Sequence, residues 1–219
     1  AYNTVIAQFG KIDALVLNAG RAQRMTAIKT PVQTTRDLFD LNFFAPVELA
    51  KLALPAMLER NDGGQIVLMS SVSGKLGTPL GSSYSATKWA LNGYFDAVRA
   101  EIGTTKNVAI QNILPGPVES EITEKAIKDG KGSEDSKKMT TARCTELVAK
   151  AMHHRLEESW ISEMPVLGYT YLAEYTPWVF RQIIKQMGPK RVDIYENGGD
   201  IYSLKDMLFG SDATAKKEL

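Results

Sequence analysis

The chain contains 219 residues, of which 44% are hydrophobic and 23% charged, the composition of a globular domain large enough to bury a substantial core. Its net charge of +1 provides no overall field to recruit nucleic acid, so no nucleic-acid partner is expected. One cysteine excludes an internal disulfide and a multi-cysteine zinc site, and two histidines argue against a histidine-rich centre, so no metal is expected.

Three short runs are almost purely apolar and end in turn-forming or polar residues. They are residues 14–17, 66–69 and 108–114. Continuous apolar runs of this length are typical of strands buried on both faces, as in a parallel sheet. Because helical patterns separate the runs, the sequence predicts βαβ units and a doubly wound α/β fold. In this class ligands bind beyond the carboxyl ends of the strands.

The first long helix is predicted to begin near Thr34 and to end near residue 58, with Pro46 inside it. A proline has no backbone N–H, so Pro46 cannot donate to the carbonyl of Asn42, four residues earlier. We therefore expect a kink at this point, which leaves the main-chain oxygen of Asn42 for another partner.

The second long helix is predicted from Ser82 or Ser83 to about Ile102. One of its faces carries Tyr84, Lys88, Leu91, Phe95, Val98 and Ile102. Since four of these six residues are apolar, the face should pack on the core. Lys88 is out of place there, because a lysine is rarely buried without a partner or a task.

Tyr84 and Lys88 lie four residues apart, so their side chains are neighbours on this helix. A tyrosine has a reference pKa of about 10, and a nearby cation lowers that pKa by favouring the phenolate. The two residues could therefore act as a general acid/base pair. Chance spacing is the alternative explanation.

Turn-forming sequences follow all three predicted strands. Ser71 could polarise a substrate carbonyl oxygen, although Ser70 and Ser73 compete for that role. Small residues let a ligand approach the backbone, but each of these sequences could also be an ordinary turn. The other two are Asn18-Ala19-Gly20 and Pro115-Gly116-Pro117-Val118.

Two more helices are predicted nearer the carboxyl terminus. One spans residues 141–156. The other should begin with Thr176 and Pro177 and end at Gly188 and Pro189, because proline favours a first helical turn and glycine a helix end.

Taken together and in order, these motifs resemble those of the short-chain dehydrogenase/reductase family. The matching elements are Leu-Asn-Ala-Gly, the helical Asn42, Ser-Ser-Val-Ser-Gly, Tyr-Ser-Ala-Thr-Lys and Pro-Gly-Pro-Val, and the resemblance covers residues 9–120. The segments at 138–144 and 160–165 resemble the member-seven subgroup of retinal-type and microsomal enzymes. That resemblance implies an endoplasmic reticulum membrane location for a full-length parent.

The resemblance also implies catalytic roles. Tyr84 would give a proton to a carbonyl or take one from an alcohol, and Lys88 would lower the pKa of Tyr84 and hold the nicotinamide ribose. Ser71 would orient the substrate oxygen. Asn42 would bind, through its main-chain oxygen, a water that links Lys88 to solvent.

The cofactor implied by the resemblance is NADP(H) in preference to NAD(H), and the substrate is a lipophilic ketone, aldehyde or alcohol of steroid or retinoid type. Besides Tyr84 and Lys88, the implied cofactor-binding residues are Asn18, Ala19, Gly20, Pro115, Gly116, Val118 and Ser120. The resemblance also implies that the chain pairs with a second copy of itself through the two long helices.

One family feature is missing, since no G-x-G-x-x-G motif occurs in the 219 residues. We therefore expect that two βαβ-type units, on the order of 60 to 80 residues, and any membrane anchor are absent upstream of Ala1. Residues 1–167 are predicted to form an incomplete Rossmann-like catalytic domain whose sheet lacks its first strands. Residues 168–219 are predicted to be an aromatic-rich extension that packs on the same domain. The aromatic residues between 160 and 187 either cap the substrate pocket and contact a membrane surface, or are ordinary core packing.

Two other functions remain open. The chain could be a truncated product without catalytic activity, acting, if at all, by partner binding. Alternatively, it could be a Tyr/Lys nucleotide-sugar epimerase, although the position of Asn42 and the Ser71-to-Tyr84 spacing argue against this.

Overall fold

A computed structural model describes residues 2–104, 107–119 and 138–197, in which helices and strands alternate. The strands are β1 (Ala14–Leu17), β2 (Gly64–Met69), β3 (Val108–Pro115) and β4 (Glu158–Ile161). The α-helices are α1 (Tyr2–Phe9), α2 (Val32–Phe39), α3 (Ala45–Glu59), α4 (Ser82–Ile102), α5 (Thr141–His153), α6 (Val166–Tyr175) and α7 (Pro177–Glu196). A π-helical turn, Asp40–Phe44, joins α2 to α3, and a 3₁₀ turn, Val72–Gly74, follows β2.

The described strands form one parallel sheet in the order β1-β2-β3-β4. Leu17 pairs with Leu68, Met69 with Ile113, and Pro115 with Ile161. The carboxyl ends of all four strands therefore lie along one edge. The three predicted strands are confirmed, whereas β4 was not predicted because it is short and begins with a glutamate.

Helices cover both faces of the sheet. Alternate residues of β2 enter two separate hydrophobic clusters, Ile66 and Leu68 on one face and Val67 on the other. The first cluster includes residues of α3 and α4, and the second includes Cys144 and Ala151 of α5. This arrangement confirms the doubly wound α/β fold.

Strand β1 differs from its prediction, because it is not buried on both faces. Leu17 is buried, but 44% of the Val16 surface is exposed. The cluster around α5 includes residues of β2, β3 and β4 but none of β1. As the edge strand of the described sheet, β1 is thus packed on one face only.

The first long helix has a local change of hydrogen bonding close to Pro46. In the π-helical turn, the N–H of Ala45 donates to the carbonyl of Asp40, five residues earlier. Pro46 follows directly and has no N–H for Asn42. The hydrogen-bond pattern of the helix therefore changes next to the position where the kink was predicted, and the kink itself stays a prediction. The helix begins at Val32, two residues before the predicted Thr34.

The whole segment Val32–Glu59 is long and apolar enough to match a membrane span. Its buried side chains include Leu38, Ala50, Ala53 and Met57. Ala50, Ala53 and Met57 belong to the hydrophobic cluster against the sheet. This packing covers one face of the segment, whereas Phe44 and Leu52 on the same segment are exposed.

Two helix ends differ from the prediction. Helix α5 stops at His153, and α7 continues through Gly188 and Pro189 to Glu196. The stop predicted at Gly188 was therefore wrong. Beyond it, Ile194 is buried in a cluster with Leu80, and these tertiary contacts offset the hydrogen bond that Pro189 cannot make.

The proposed division of the chain at residue 167 stays a prediction. Residues 167 and 168 lie within the same helix, α6. Contacts join the carboxyl-terminal helices to the rest of the fold, including an ion pair of 3.5 Å between Lys75 and Glu174. Residues 198–219 lie outside the described residues.

Candidate active site

The predicted site residues follow the carboxyl ends of three adjacent strands. Asn18, Ala19 and Gly20 come after β1, Ser71 after β2, and Gly116 after Pro115 at the end of β3. In a parallel sheet these ends are neighbours, which places the three segments side by side. Asn18 and Ala19 are exposed at this edge.

A hydrogen bond from Lys88 attaches helix α4 to this edge of the sheet. Its side chain is 4% exposed, and its amine donates a hydrogen bond of 2.8 Å to the backbone oxygen of Met69, the last residue of β2. Burial disfavours the charged form and lowers the pKa of Lys88 from 10.5 to about 8. The amine is therefore still mostly protonated at pH 7.

Tyr84 lies next to Lys88, as the spacing predicted. The Lys88 Nζ atom is 5.8 Å from the centroid of the Tyr84 ring. Tyr84 is partly exposed, whereas Lys88 is buried. The pair thus combines a phenol accessible to a ligand with a cation shielded from water, an arrangement suited to proton transfer.

Asn42 joins the turn after β1 to helix α4. Its side-chain oxygen accepts a hydrogen bond of 2.9 Å from the N–H of Arg21, and its Nδ2 donates to the Arg21 oxygen at 2.9 Å. Nδ2 also lies 3.1 Å from Oγ1 of Thr87, which donates to the Tyr84 carbonyl at 2.7 Å. Asn42 therefore positions this turn with its side chain, which leaves the predicted main-chain role open.

Gly20 brings the backbone close to both Asn42 and Lys88. A Cβ atom at this position would lie 3.4 Å from Oδ1 of Asn42 and 3.8 Å from Nζ of Lys88. These are ordinary van der Waals distances, so Gly20 lies directly beside the Lys88 amine.

Ser71 is buried where β2 meets the 3₁₀ turn. Its Oγ accepts a hydrogen bond of 3.1 Å from the N–H of Ser73 and lies 3.4 Å from the Pro115 oxygen. The second distance is long for a hydroxyl donor. A substrate oxygen could therefore replace the Pro115 contact.

The segment after β3 is held against the end of β4. The N–H of Gly116 donates to the Ile161 oxygen at 2.9 Å, and a Cβ atom on Gly116 would lie 2.1 Å from Oγ of Ser162. Only glycine fits there without a shift of Ser162. Val118 forms a bridge with Met139, and Ser120 lies outside the described residues.

These surroundings fit the nicotinamide ribose that the resemblance implies. The Lys88 ammonium has three donors, and Met69 is its hydrogen-bond acceptor among the described residues. The Ser70 hydroxyl is buried and has no hydrogen-bond partner among the described residues. No cluster of three His, Cys, Asp or Glu side chains in the described segments is placed to hold a metal ion.

Two contributing residues were missed in the sequence. Thr87 is fully buried and connects Asn42 with the Tyr84 carbonyl. Its position directly before Lys88 was the available signal. Gln23 accepts a hydrogen bond of 3.1 Å from the N–H of Tyr84 through its side-chain oxygen. A lone glutamine in a loop carries no sequence signal for such a contact.

Comparison with curated proteins identifies similar chains. Dehydrogenase/reductase SDR family member 7 from Homo sapiens is 39% identical over 215 residues, which cover 95% of this chain and 63% of that protein. The Mus musculus protein of the same name is 37% identical over 206 residues, covering 91% and 61%. Member 7B from Xenopus laevis is 31% identical over 188 residues, covering 83% and 58%. The chain thus spans less than two thirds of the length of these relatives.

Solved structures show the same fold. A short-chain dehydrogenase from Streptomyces avermitilis superposes with a TM-score of 0.66 at 23% identity, over 85% of this chain and 72% of that one. The structure of ElxO with NADP bound superposes with a TM-score of 0.62 at 27% identity, over 74% and 69%. The short chain dehydrogenase family model matches residues 1–131, more than half of the chain. The chain therefore belongs to the short-chain dehydrogenase family.

Proposed function

We propose that this chain carries the catalytic residues of an NAD(P)-dependent oxidoreductase that interconverts a lipophilic carbonyl compound and its alcohol. The observation that carries this proposal is the buried Lys88 amine, 5.8 Å from the Tyr84 ring centroid and beside the ends of the strands. A buried lysine is costly to maintain unless it has a task. Membership of a dehydrogenase family supports that task being proton transfer.

Tyr84 is the proposed proton carrier. In reduction its hydroxyl donates a proton to the carbonyl oxygen of the substrate, and in oxidation the phenolate takes the proton from the alcohol. The Lys88 cation favours the phenolate and so eases this transfer.

Ser71 and Asn42 are the proposed supporting residues. The Ser71 hydroxyl turns from the Pro115 oxygen to the substrate oxygen and polarises it. Pro46 has no N–H and cannot donate to the main-chain oxygen of Asn42. In the proposed mechanism, that oxygen holds a water that passes protons between Lys88 and solvent.

A bound nicotinamide cofactor supplies or accepts the hydride. The residues proposed to hold it are Asn18, Ala19, Gly20, Tyr84, Lys88, Pro115, Gly116, Val118 and Ser120. Lys88 would bind the ribose hydroxyls with the donors not used by Met69, and the exposed turn after β1 would flank the adenosine side. The NADP bound to ElxO, at 27% identity, supports NADP(H) in preference to NAD(H).

A lipophilic substrate of steroid or retinoid type is supported by the exposed aromatic side chains near the end of α6 and the start of α7. Tyr175 is 72% exposed and Trp178 is 71% exposed. Amphipathic aromatic residues are common where protein meets lipid, so this surface is also the proposed membrane contact of a full-length protein in the endoplasmic reticulum.

Exposed Phe44, Leu52 and Trp89 on the two long helices support a homodimer through those helices.

Cofactor titration followed by turnover tests the proposal. NADPH and NADH are titrated into the folded chain while nucleotide fluorescence is recorded, and NADPH oxidation is then measured with 4-nitrobenzaldehyde. Saturable binding with turnover supports the oxidoreductase. A folded sample that binds neither nucleotide contradicts it and favours the truncated, non-catalytic product. A co-purifying sugar nucleotide would favour the epimerase.

A further inference from the structure

We propose that Gln23 is a positioning residue for Tyr84, and that the carboxyl-terminal end of α7 holds the Gln23 segment in place. This inference rests on the proposed function, because it concerns how the proton carrier is fixed. Nothing in the motifs around Tyr84 indicates such a contact.

Gln23 caps the first turn of helix α4. The first N–H groups of an α-helix have no partner within the helix, and a side chain usually supplies one. The N-cap residue of α4 is Gly81, which has no side chain to do so. The Gln23 Oε1 atom, 61 residues earlier in the chain, accepts the N–H of Tyr84 at 3.1 Å instead.

A second bond from the same segment fixes the turn that precedes Tyr84. The N–H of Met25 donates to the Leu80 carbonyl at 3.0 Å. Leu80 is a buried residue with a φ of 69°, a left-handed conformation that is unfavourable for a branched side chain. Residues 23–25 thus hold both ends of the turn that leads into the catalytic helix.

The end of α7 packs against residues 23–25 and the turn that they hold. The Tyr195 hydroxyl donates to the Arg24 oxygen at 2.8 Å, and Ile194 packs with Leu80 in a small hydrophobic cluster. Lys29 and Glu196 form an exposed ion pair of 2.8 Å at its edge. These contacts exist only because α7 continues past Gly188 and Pro189. Helix α7 is therefore connected to Tyr84 through residues 23–25.

The expected consequence concerns the Tyr84 backbone. With the Gln23 cap, the first turn of α4 is closed, and the Tyr84 phenol keeps its place relative to Lys88. Without the cap, the N–H of Tyr84 lacks its partner and the turn opens more often. Proton transfer should slow, while residues that bind the cofactor elsewhere on the edge keep their geometry.

Four variants test the inference. Gln23→Met keeps the side-chain length and removes the acceptor, whereas Gln23→Glu keeps an acceptor oxygen. Gln33→Met is the matched control, since the Gln33 amide contacts Asp37 on the exposed face of α2. Tyr195→Phe removes only the hydroxyl that holds Arg24.

Amide hydrogen exchange provides a readout that needs no substrate. Gln23→Met should accelerate exchange of the Tyr84 N–H by about tenfold, as expected for a lost helix cap. Tyr195→Phe should accelerate it less, and Gln23→Glu and Gln33→Met should resemble the wild type. Unchanged exchange at Tyr84 in Gln23→Met would overturn the proposal.

Turnover of NADPH with 4-nitrobenzaldehyde provides the second readout. In Gln23→Met, kcat should fall about tenfold, while KM for NADPH changes less than about twofold. Gln23→Glu should restore most of kcat. Faster exchange with an unaltered kcat would overturn the positioning role. A wild type without turnover would instead contradict the proposed function, and the exchange result would still decide the Gln23 contact. If Gln23→Met does not fold, Tyr195→Phe carries the test, and unchanged exchange of the Tyr84 N–H in that variant would overturn the proposal.

Discussion

The Lys88 amine is hydrogen-bonded to the backbone oxygen of Met69 at 2.8 Å, so helix α4 is attached to the last residue of the interior strand β2. The bond places a cation in the interior of the protein, where Lys88 is only 4% exposed. Loss of hydration lowers the pKa of Lys88 to about 8. We therefore expect the position of this amine to affect stability and, under the proposed function, proton transfer.

The first prediction concerns stability against pH. The pKa of Lys88 is 10.5 in the unfolded chain and about 8 in the folded one, so between these values the unfolded state binds more protons. Stability from this group should therefore rise by about 3 kcal/mol as the pH increases through that window. Urea unfolding of wild type and Lys88→Met at pH 7 and pH 10 measures the difference.

Lys88→Met should lose this rise and be the more stable protein at pH 7, where the wild type must bury a charge. Lys51→Met, on the exposed side of α3, is the control and should keep the wild-type pH dependence. An identical rise in wild type and Lys88→Met would show that the amine is hydrated in the folded state.

The second prediction concerns the rate of carbonyl reduction against pH. Above the Lys88 pKa of about 8 the amine loses its charge, and Tyr84 loses the cation that eases proton transfer. The value of kcat/KM should fall as the pH rises through about 8. Steady-state NADPH oxidation between pH 6 and pH 10 measures this, and a flat profile would rule out the role assigned to Lys88.

The third prediction concerns Gly116. A Cβ atom there would lie 2.1 Å from Oγ and 2.7 Å from Cβ of Ser162, so Gly116→Ala should destabilise the protein by about 1–3 kcal/mol. Adding Ser162→Gly should recover most of that loss in urea unfolding. Gly93→Ala is the matched control, because no atom of the described segments lies within 4 Å of its Cβ position on α4. That substitution should stabilise the helix by about 1 kcal/mol.

The fourth prediction concerns Thr87, which bonds to Asn42 and to the Tyr84 carbonyl. Thr87→Val keeps the shape of the side chain and removes both hydrogen bonds, at a cost of about 1–2 kcal/mol. Thr145→Val is the control, since among the described residues the Thr145 hydroxyl bonds only to carbonyls of its own exposed helix turn. Equal urea midpoints for the two variants would mean that Thr87 does not join α4 to Asn42.

Much of the fold was predictable from local patterns. The continuous apolar runs predicted β1, β2 and β3, and the helical period of the face with Tyr84 and Lys88 predicted α4. Both patterns are visible in short stretches of sequence. Strand β4 and the continuation of α7 past Gly188 were not predictable in this way. Their causes are contacts with distant residues, such as Ile194 with Leu80.

In the candidate site, too, residues within local motifs were predicted and long-range contacts were not. Tyr84, Lys88, Ser71 and Asn42 belong to motifs with fixed spacing, and the structure places Lys88 beside Tyr84 and the end of β2. Their chemical roles stay predictions. The contact of Gln23 with Tyr84 spans 61 residues and involves a backbone N–H, which no side-chain pattern encodes.

The most direct measurement of the central claim is the turnover of Tyr84→Phe against Tyr94→Phe. Both variants lose only a hydroxyl on α4, but Tyr94 packs among Phe43 and Phe95. NADPH oxidation with 4-nitrobenzaldehyde should fall at least about a hundredfold in Tyr84→Phe and stay near the wild-type rate in Tyr94→Phe. NADPH binding should be retained in Tyr94→Phe and only slightly weakened in Tyr84→Phe, because the other proposed cofactor-binding residues are unchanged. A Tyr84→Phe enzyme with near-normal turnover would contradict the account.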